Sequence, residues 1–384
     1  MSQARAASYL VVAPSLDLAQ PLGRVPAVWG LLKGLWTEGA QVLALPLKGP
    51  AVESPWWQAL APAAGRWPWQ GRDAGQALAA RLDAAIQSHP GLRGVLWLGT
   101  DLASLRDLPL LLRQRHGLAQ AWLDLDGPES LLCLRESLAE QVRLLGGEDG
   151  PAALARAAKR PAFSPDCLPQ FDLVVTPSQE AAAHWRALGA RQVLDLPWGA
   201  DPDLFMPQPP QGDPDLDLLF IGSGEEGRAA WMRQLVYAAA ADSGLAVALA
   251  GQGFHPAPGS HPRLLGQVPA SQVPHWVGRS RVQAVVSRAG QAAVPGSPSP
   301  RLFELAAMEG CCLCTPLNGL DRFFEPGREV AACWSPAEVP GQLRTLLKEP
   351  LLRRDMGRRA RARVLDEHTL AHRARRLLRA LAAL

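Results

Sequence analysis

The sequence predicts an α/β protein made of two halves, each built on parallel strands. Short apolar runs recur along the chain, and most are followed by a loop and a helix-like pattern. The alternation restarts after a Pro-, Gln-, Gly- and Asp-rich stretch that ends near Pro214. The 384 residues exceed what one hydrophobic core ordinarily organises, so two domains with ample core are expected.

In the first half, Tyr9 to Ala13 reads as a buried parallel strand. A loop with Pro14, Pro21 and Gly23 leads to a helix pattern from Pro26 to Glu38, stopped by Gly39. Gln41 to Leu45 is the second strand, so the chain opens with a βαβ unit. Its first loop lacks G-x-G-x-x-G, which argues against a dinucleotide fingerprint. Residues 46–73 are irregular and carry Trp56, Trp57, Trp67 and Trp69 among prolines. Such a segment suits an acceptor-binding loop, or a loop pinned to the surface by its indoles. Further strands are expected at Gly94–Leu98, Ala119–Leu125, Phe171–Thr176 and Gln192–Leu196, with helices at Ala74–Ser88, Leu105–Gln114 and Pro177–Leu188. Asp124 and Asp126 stand at the carboxyl end of the strand from Ala119, where ligands bind in open α/β sheets. Asp126 is a candidate general base there, or a cap for a helix beyond it.

The second half restarts with Leu216–Ile221, running into Gly222-Ser223-Gly224, with Arg228 just beyond. A strand, a glycine-rich turn, a helix N-terminus and an Arg form a phosphate cradle. The Lys-Ser/Thr of a Walker A loop is missing. Ala246–Ala250 is the next strand, followed by Gly251, Gly253 and His255. Leu264–Gly266 and Val282–Ser287 are further short strands. Then comes SPRLFELAAMEG (299–310) and a Cys-rich apolar strand at 311–316. Arg301 and Glu304 are three apart, so on a helix they share a face near its N-terminus. Free N–H groups, the helix dipole and a bidentate Arg favour a diphosphate, and the Glu can accept from ribose hydroxyls. The bland alternative is an Arg–Glu pair on a surface helix. Helices at Pro336–Leu347 and Leu351–Glu367 and a last basic one from Thr369 complete the chain.

Hydrophobic content of 48% and charged content of 20% fit a globular protein. A net charge of +3 is too small to argue for a nucleic-acid partner, and none is expected. Cys133, Cys167, Cys311, Cys312, Cys314 and Cys333 read as buried thiols of a reducing compartment. The N-terminal apolar run is too short for a signal peptide, and no run approaches a membrane span, so a cytoplasmic location is expected. The arginines between Arg353 and Arg379 allow peripheral contact with anionic lipid, or simply a solvated basic face.

The sequence also resembles the two-domain, GT-B-fold glycosyltransferases, most closely their spore-maturation-protein CgeB-like branch. The matching segments are residues 172–207, LLFIGSGEEGR (218–228), residues 264–287, SPRLFELAAMEG (299–310), FFEPGREV (323–330) and HTLAHR (368–373). The last three resemble the R-x-F-E, F-x-P-G-x-E-V and H-T-x-x-x-R signatures of that group. About half of the chain takes part, and the first 160 residues match only in strand rhythm.

The resemblance implies two Rossmann-like domains, 1–207 and 216–367, with sheets facing a central cleft. A linker at 208–215 would join them, and a C-terminal helix, 368–384, would cross back to the first domain. It implies a nucleotide diphosphate sugar donor, UDP-linked by preference, and a protein or glycan acceptor. Gly222, Ser223, Arg228 and Arg301 would hold the diphosphate, Glu304 the ribose, and Gly251, Gly253 and His255 would border the base or sugar. No cofactor and no bound metal are expected, because basic side chains and helix ends stabilise the departing diphosphate. Two features depart from the group. Retaining members often carry a second Glu eight residues earlier, and Gly296 stands at that position, so both stereochemical outcomes stay open. Gly310 also follows Glu304 one residue later than expected. A GT-B-fold nucleotide-sugar epimerase and a non-catalytic, partner-binding subunit are the rival readings.

Overall fold

The computed structural model describes residues 7–19, 23–63, 72–100, 105–126, 165–209, 212–224 and 226–384. Trp67, Trp69 and Cys133 lie outside them.

The first half forms a seven-stranded sheet in the order β3-β2-β1-β4-β5-β6-β7. Its strands are β1 (Ser8–Ala13), β2 (Gln41–Pro46), β3 (Gln58–Ala59), β4 (Leu92–Leu98), β5 (Ala119–Leu123), β6 (Leu173–Thr176) and β7 (Val193–Asp195). Every pairing is parallel. Both faces are covered, which is why the strands read as continuous apolar runs. Along β1, Leu10 and Val12 enter one core while Tyr9, Val11 and Ala13 enter the other.

The second half repeats the plan with six parallel strands in the order β10-β9-β8-β11-β12-β13. These are β8 (Leu216–Ser223), β9 (Val247–Gln252), β10 (Arg263–Gly266), β11 (Ser280–Val285), β12 (Cys312–Cys314) and β13 (Ala331–Ala332). Leu219 and Ile221 face one core, and Leu218 and Phe220 the other. Cys311, Cys312 and Cys314 are buried free thiols at and beside β12, and burial pushes the Cys311 thiol up to about 12. Each sheet changes direction of growth at its first strand, between β1 and β4 and between β8 and β11. The carboxyl ends of those strands are where open α/β sheets bind ligands.

The helix Pro300–Ala307 begins at Ser299 and ends in a Schellman turn. The Gly310 N–H donates to the Leu305 carbonyl at 3.0 Å and the Glu309 N–H to Ala306 at 3.1 Å. The left-handed residue is Glu309, at φ 60°. Gly310 is needed for space instead, because a Cβ there would stand 2.8 Å from Gln283 Oε1 and 2.9 Å from the Leu305 carbonyl. The extra residue after Glu304 is thus absorbed in the turn, and the helix keeps its register.

The chain ends by returning to the first domain. Ala200 and Phe205, which precede the expected linker, already pack in the second core. Beside them, Ala200 pairs with Thr369 in a parallel bridge. The Arg373 side chain is buried at 4% exposure and donates to the Trp198 carbonyl at 2.9 and 3.1 Å and to the Glu367 carbonyl at 2.9 Å. It also donates to His368 Nδ1 at 2.8 Å, which fixes the His368 Nε2–H as the donor to the Phe323 carbonyl at 3.1 Å. The helix Leu370–Leu381 then lies on the helix Val25–Thr37. Gly30 and Gly34 make that approach possible: a Cβ on Gly34 would be 2.9 Å from the Leu370 carbonyl oxygen and 3.0 Å from Ala374 Cβ. The crossing helix that the resemblance implied is therefore present.

Many of the C-terminal arginines are occupied by the protein itself. Arg358 and Arg359 pair with Asp355, Arg363 with Glu329 and Glu367, and Arg375 with Glu38. Among the described residues, no helix is long and apolar enough to cross a membrane.

The crossover can be tested at two of its residues. Gly34→Leu forces a side chain into the helix crossing and should lower stability by about 1–3 kcal/mol in urea unfolding; an unchanged midpoint would contradict the packing. Burial, reinforced by Arg373, holds the His368 imidazole down to about 4 from its usual 6.5. The unfolded chain takes up that proton at the higher pH, so stability is full above about pH 6.5 and falls as pH drops toward 4, by roughly 3 kcal/mol. Unfolding of His368→Gln across this window should show a flatter pH dependence than the wild type, and an equal slope would place the titrating group elsewhere.

Candidate active site

A cleft of about 490 Å³ lies between the domains at the carboxyl ends of the central strands. Pro14, Ser15, Gly23, Arg24 and Leu125 line it from the first domain. From the second come Gly222, Ser223, Arg228, Gln252, Arg288, Arg301 and Glu304. The volume is within the range of sites for ligands of nucleotide size.

The second-domain wall is built where β8 and β9 end side by side. Gly222 pairs with Gly251, and Ser223 with Gln252. Past the strands, the Gly224 Cα approaches Gly253 so closely that a Cβ would sit 2.6 Å from the Gly253 carbonyl oxygen. Gly253 itself turns through φ 70°. Glycine is required at these points by backbone contact rather than by a phosphate motif. Arg228 stands at the start of the following helix and is oriented by main-chain carbonyls. Its Nε donates to Val286 at 2.9 Å and its Nη1 to Ser223 at 3.1 Å.

The helix Pro300–Ala307 points its N-terminus into the same cleft, but its amides are less available than the sequence suggests. Pro300 has no N–H. The Arg301 N–H donates to Ser299 Oγ at 3.3 Å and the Leu302 N–H to the Ser299 carbonyl at 3.1 Å. The helix end therefore offers the cleft its dipole but few free amides, next to the Arg228 and Arg301 side chains. Arg301 Nη1 lies 2.8 Å from Glu304 Oε2. The pair does not meet hydrogen-bond geometry, so this buried Nη1 has no hydrogen-bond acceptor among the described residues. Glu304 is 3% exposed, and burial pushes its carboxyl above the usual range against the pull of Arg301. A half-buried guanidinium with one unbonded nitrogen, beside a buried carboxyl, is what a ligand with phosphate and hydroxyl groups would complete.

The remaining expected residues divide. Gly251 is buried in β9 behind Gln252, and Gln252 is the one that lines the cleft. His255 is exposed, and its backbone N–H donates to the Tyr237 hydroxyl at 3.0 Å. Trp57 is buried, with Nε1 donating to the Val52 carbonyl at 3.2 Å, and its ring meets Trp29 edge-on at 4.2 Å. Trp56 takes Lys33 over its face at 5.0 Å. Neither indole lines the cleft; they fasten the loop around β3 to the first helix.

Asp124 is buried and accepts from the Thr176 hydroxyl at 3.2 Å and from the Asp126 N–H at 3.1 Å. Asp126 is 6% exposed, and both carboxylate oxygens are taken. Arg288 Nη2 reaches them at 2.8 and 2.9 Å, and Arg24 Nη2 reaches Oδ2. Asp126 does not line the cleft, whereas both of its arginines do. The geometry expected of a general base is therefore not what surrounds it. Arg24 and Arg288 do not stand out in the sequence, because each is a lone basic residue near a strand end, with no motif around it. Arg24 ends the loop that follows β1 and Arg288 stands just beyond β11, and this placement at the central strands is the signal that could have found them.

Residues 228–379 match a protein-family model described as glycosyl transferase-like. No curated protein sequence matches the chain. Among solved structures, the sucrose-phosphate synthase of Thermosynechococcus elongatus superposes with a TM-score of 0.68 at 14% identity, over 98% of this chain and 99% of that one. The Anabaena protein HepE, solved in complex with UDP, gives 0.61 at 10% identity over 98% and 100% of the two chains. A glycosyltransferase from Rickettsia africae gives 0.61 at 10% identity over 98% of each. The whole chain thus has the GT-B fold of these structures, and Arg228, Arg288, Arg301 and Glu304 all fall within the stretch that matches the glycosyl transferase-like model.

Proposed function

We propose that the chain is a glycosyltransferase that moves a sugar from a nucleoside diphosphate sugar to an acceptor bound between its domains. The observation that carries the reading is the convergence of Arg228, Arg301 and Glu304 on one cleft, with Arg301 Nη1 buried and lacking a hydrogen-bond acceptor. The glycosyl transferase-like family match over the second domain supports it. UDP is the nucleotide we assign, because HepE, of the same fold, was solved with UDP and with UDP-glucose.

In this reading the diphosphate lies against Arg228 and Arg301 at the end of the helix Pro300–Ala307. As the bond to the sugar breaks, negative charge builds on the departing diphosphate. Two guanidiniums and a helix dipole held in place beforehand stabilise that charge without a bound metal. Glu304 accepts from the ribose hydroxyls. The acceptor, a protein or a glycan, approaches from the first-domain wall of Pro14, Ser15, Val28 and Leu125. The CgeB-like branch and a cytoplasmic location belong to the same proposal. The first rests on the R-x-F-E, F-x-P-G-x-E-V and H-T-x-x-x-R segments, the second on the buried free thiols.

A thermal-shift series with UDP, GDP, TDP and their sugars, each with and without chelator, tests the reading. UDP should raise the melting temperature by mass action and keep doing so in chelator. Arg301→Ala should weaken UDP by about tenfold or more, the loss expected for one charged hydrogen-bonding partner, and leave the unliganded chain folded. Unchanged UDP affinity in both Arg301→Ala and Glu304→Ala would sink the assignment. Conversion of the donor sugar in the absence of any acceptor would favour an epimerase.

A further inference from the structure

The two domains face each other across polar groups, and one of these contacts is a buried charge cluster. Arg288 follows β11 of the second domain, and its guanidinium crosses the cleft to both oxygens of Asp126 at 2.8 and 2.9 Å. Asp126 follows β5 of the first domain and also holds Arg24, which precedes the helix Val25–Thr37. Side-chain exposure is 6% for Asp126 and 15% for Arg288. The segment after Arg288 is docked on the first domain as well. Val294 packs in the first core, and the Ser178 hydroxyl donates to the Pro295 carbonyl at 3.1 Å. Further along, Arg322 donates to Gln179 Oε1 at 2.7 Å.

We propose that Asp126 is an interdomain clasp: a positioning residue that joins Arg288 of one domain to Arg24 of the other and so holds both cations at the wall of the donor cleft. Asp126 does not line the cleft among the described residues, while Arg24 and Arg288 do. Closing the domains and assembling the positive wall are then one event. When the domains part, Arg288 leaves Asp126 and is withdrawn from the wall. A buried carboxylate between two guanidiniums is well suited to this work. Its removal takes away the anion that two guanidiniums from different domains share, which weakens that interdomain contact. The anionic donor supplies further negative charge to the same wall, so ligand binding and clasp formation reinforce each other.

The inference rests on the transferase reading for what the cleft binds, yet the clasp can be measured without ligand. Small-angle X-ray scattering of the unliganded full chain reads domain separation, and calorimetric titration with UDP reads the cleft. Asp126→Asn should give a larger radius of gyration than the wild type and about tenfold weaker UDP binding. Arg288→Gln should open the chain in the same way. Combining the two should add little, because both break one contact. Asp126→Glu should recover part of the compactness and of the UDP affinity, which a merely structural aspartate would not predict. Wild-type compactness and UDP affinity in Asp126→Asn, together with lost turnover, would overturn the clasp and return Asp126 to the chemistry. Should Asp126→Asn fail to fold, Arg288→Gln decides the matter: a chain as compact as the wild type contradicts the clasp. Absence of UDP binding by the wild type would defeat the transferase reading, and the scattering comparison would still judge the clasp.

Discussion

The return of the chain from the second domain to the first depends on the buried Arg373. Two domains, each complete in its own sheet and cores, need a fixed relation if residues from both are to line one site. Arg373 ties the C-terminal return to the end of the first domain by holding Trp198 and Glu367 through their carbonyls and His368 through its ring. Burial, with Arg376 adding to it, lowers the guanidinium to about 10, still charged at neutral pH. An ionised group in that position is tolerated because backbone oxygens meet it on several sides. The same stretch binds Ala200 to Thr369 in a strand-like bridge and sets the C-terminal helix on the glycine face of Val25–Thr37. The chain connection and the return of the C-terminal helix thus meet at one place, next to Leu125, which also lines the cleft.

With that frame fixed, the cleft is a problem of placing charge. Helix amides often bind phosphate, yet here Ser299 and Pro300 take up the first positions of the helix Pro300–Ala307. In the proposed reading guanidiniums replace them. Arg228 is aimed by two carbonyls and Arg301 by its buried Glu304 neighbour, so each arrives with much of its side-chain freedom already spent. Ligand binding then loses less entropy in ordering them. Asp126 extends the logic to Arg24 and Arg288, which come from different domains and share one carboxylate.

The sequence carried the fold well for physical reasons visible in particular strands. β1, β2, β8 and β9 are buried on both faces, so they are unbroken apolar runs bounded by loops. β3 and β13 are two residues long at sheet edges and left no such trace. The helix Pro300–Ala307 announced itself through Ser299, Pro300 and the Arg–Glu spacing. Its end did not, because the left-handed position is taken by Glu309, a residue that seldom adopts it, while Gly310 answers a steric demand from Gln283. Trp56 and Trp57 suited either an acceptor-binding loop or a loop pinned by its indoles, and they pack on Trp29. Asp126 was marked in the sequence by its place at a strand end, but its partners were not. Arg288 lies 162 residues away, and pairings of that kind are set by domain orientation.

The central claim is that one cleft gathers Arg228, Arg301 and Glu304 around a nucleoside diphosphate. A crystal structure of the chain grown with UDP tests this most directly. The account predicts diphosphate oxygens within hydrogen-bond reach of both guanidiniums, with ribose hydroxyls on Glu304. UDP bound elsewhere, with Arg301 Nη1 still lacking an acceptor, would contradict it.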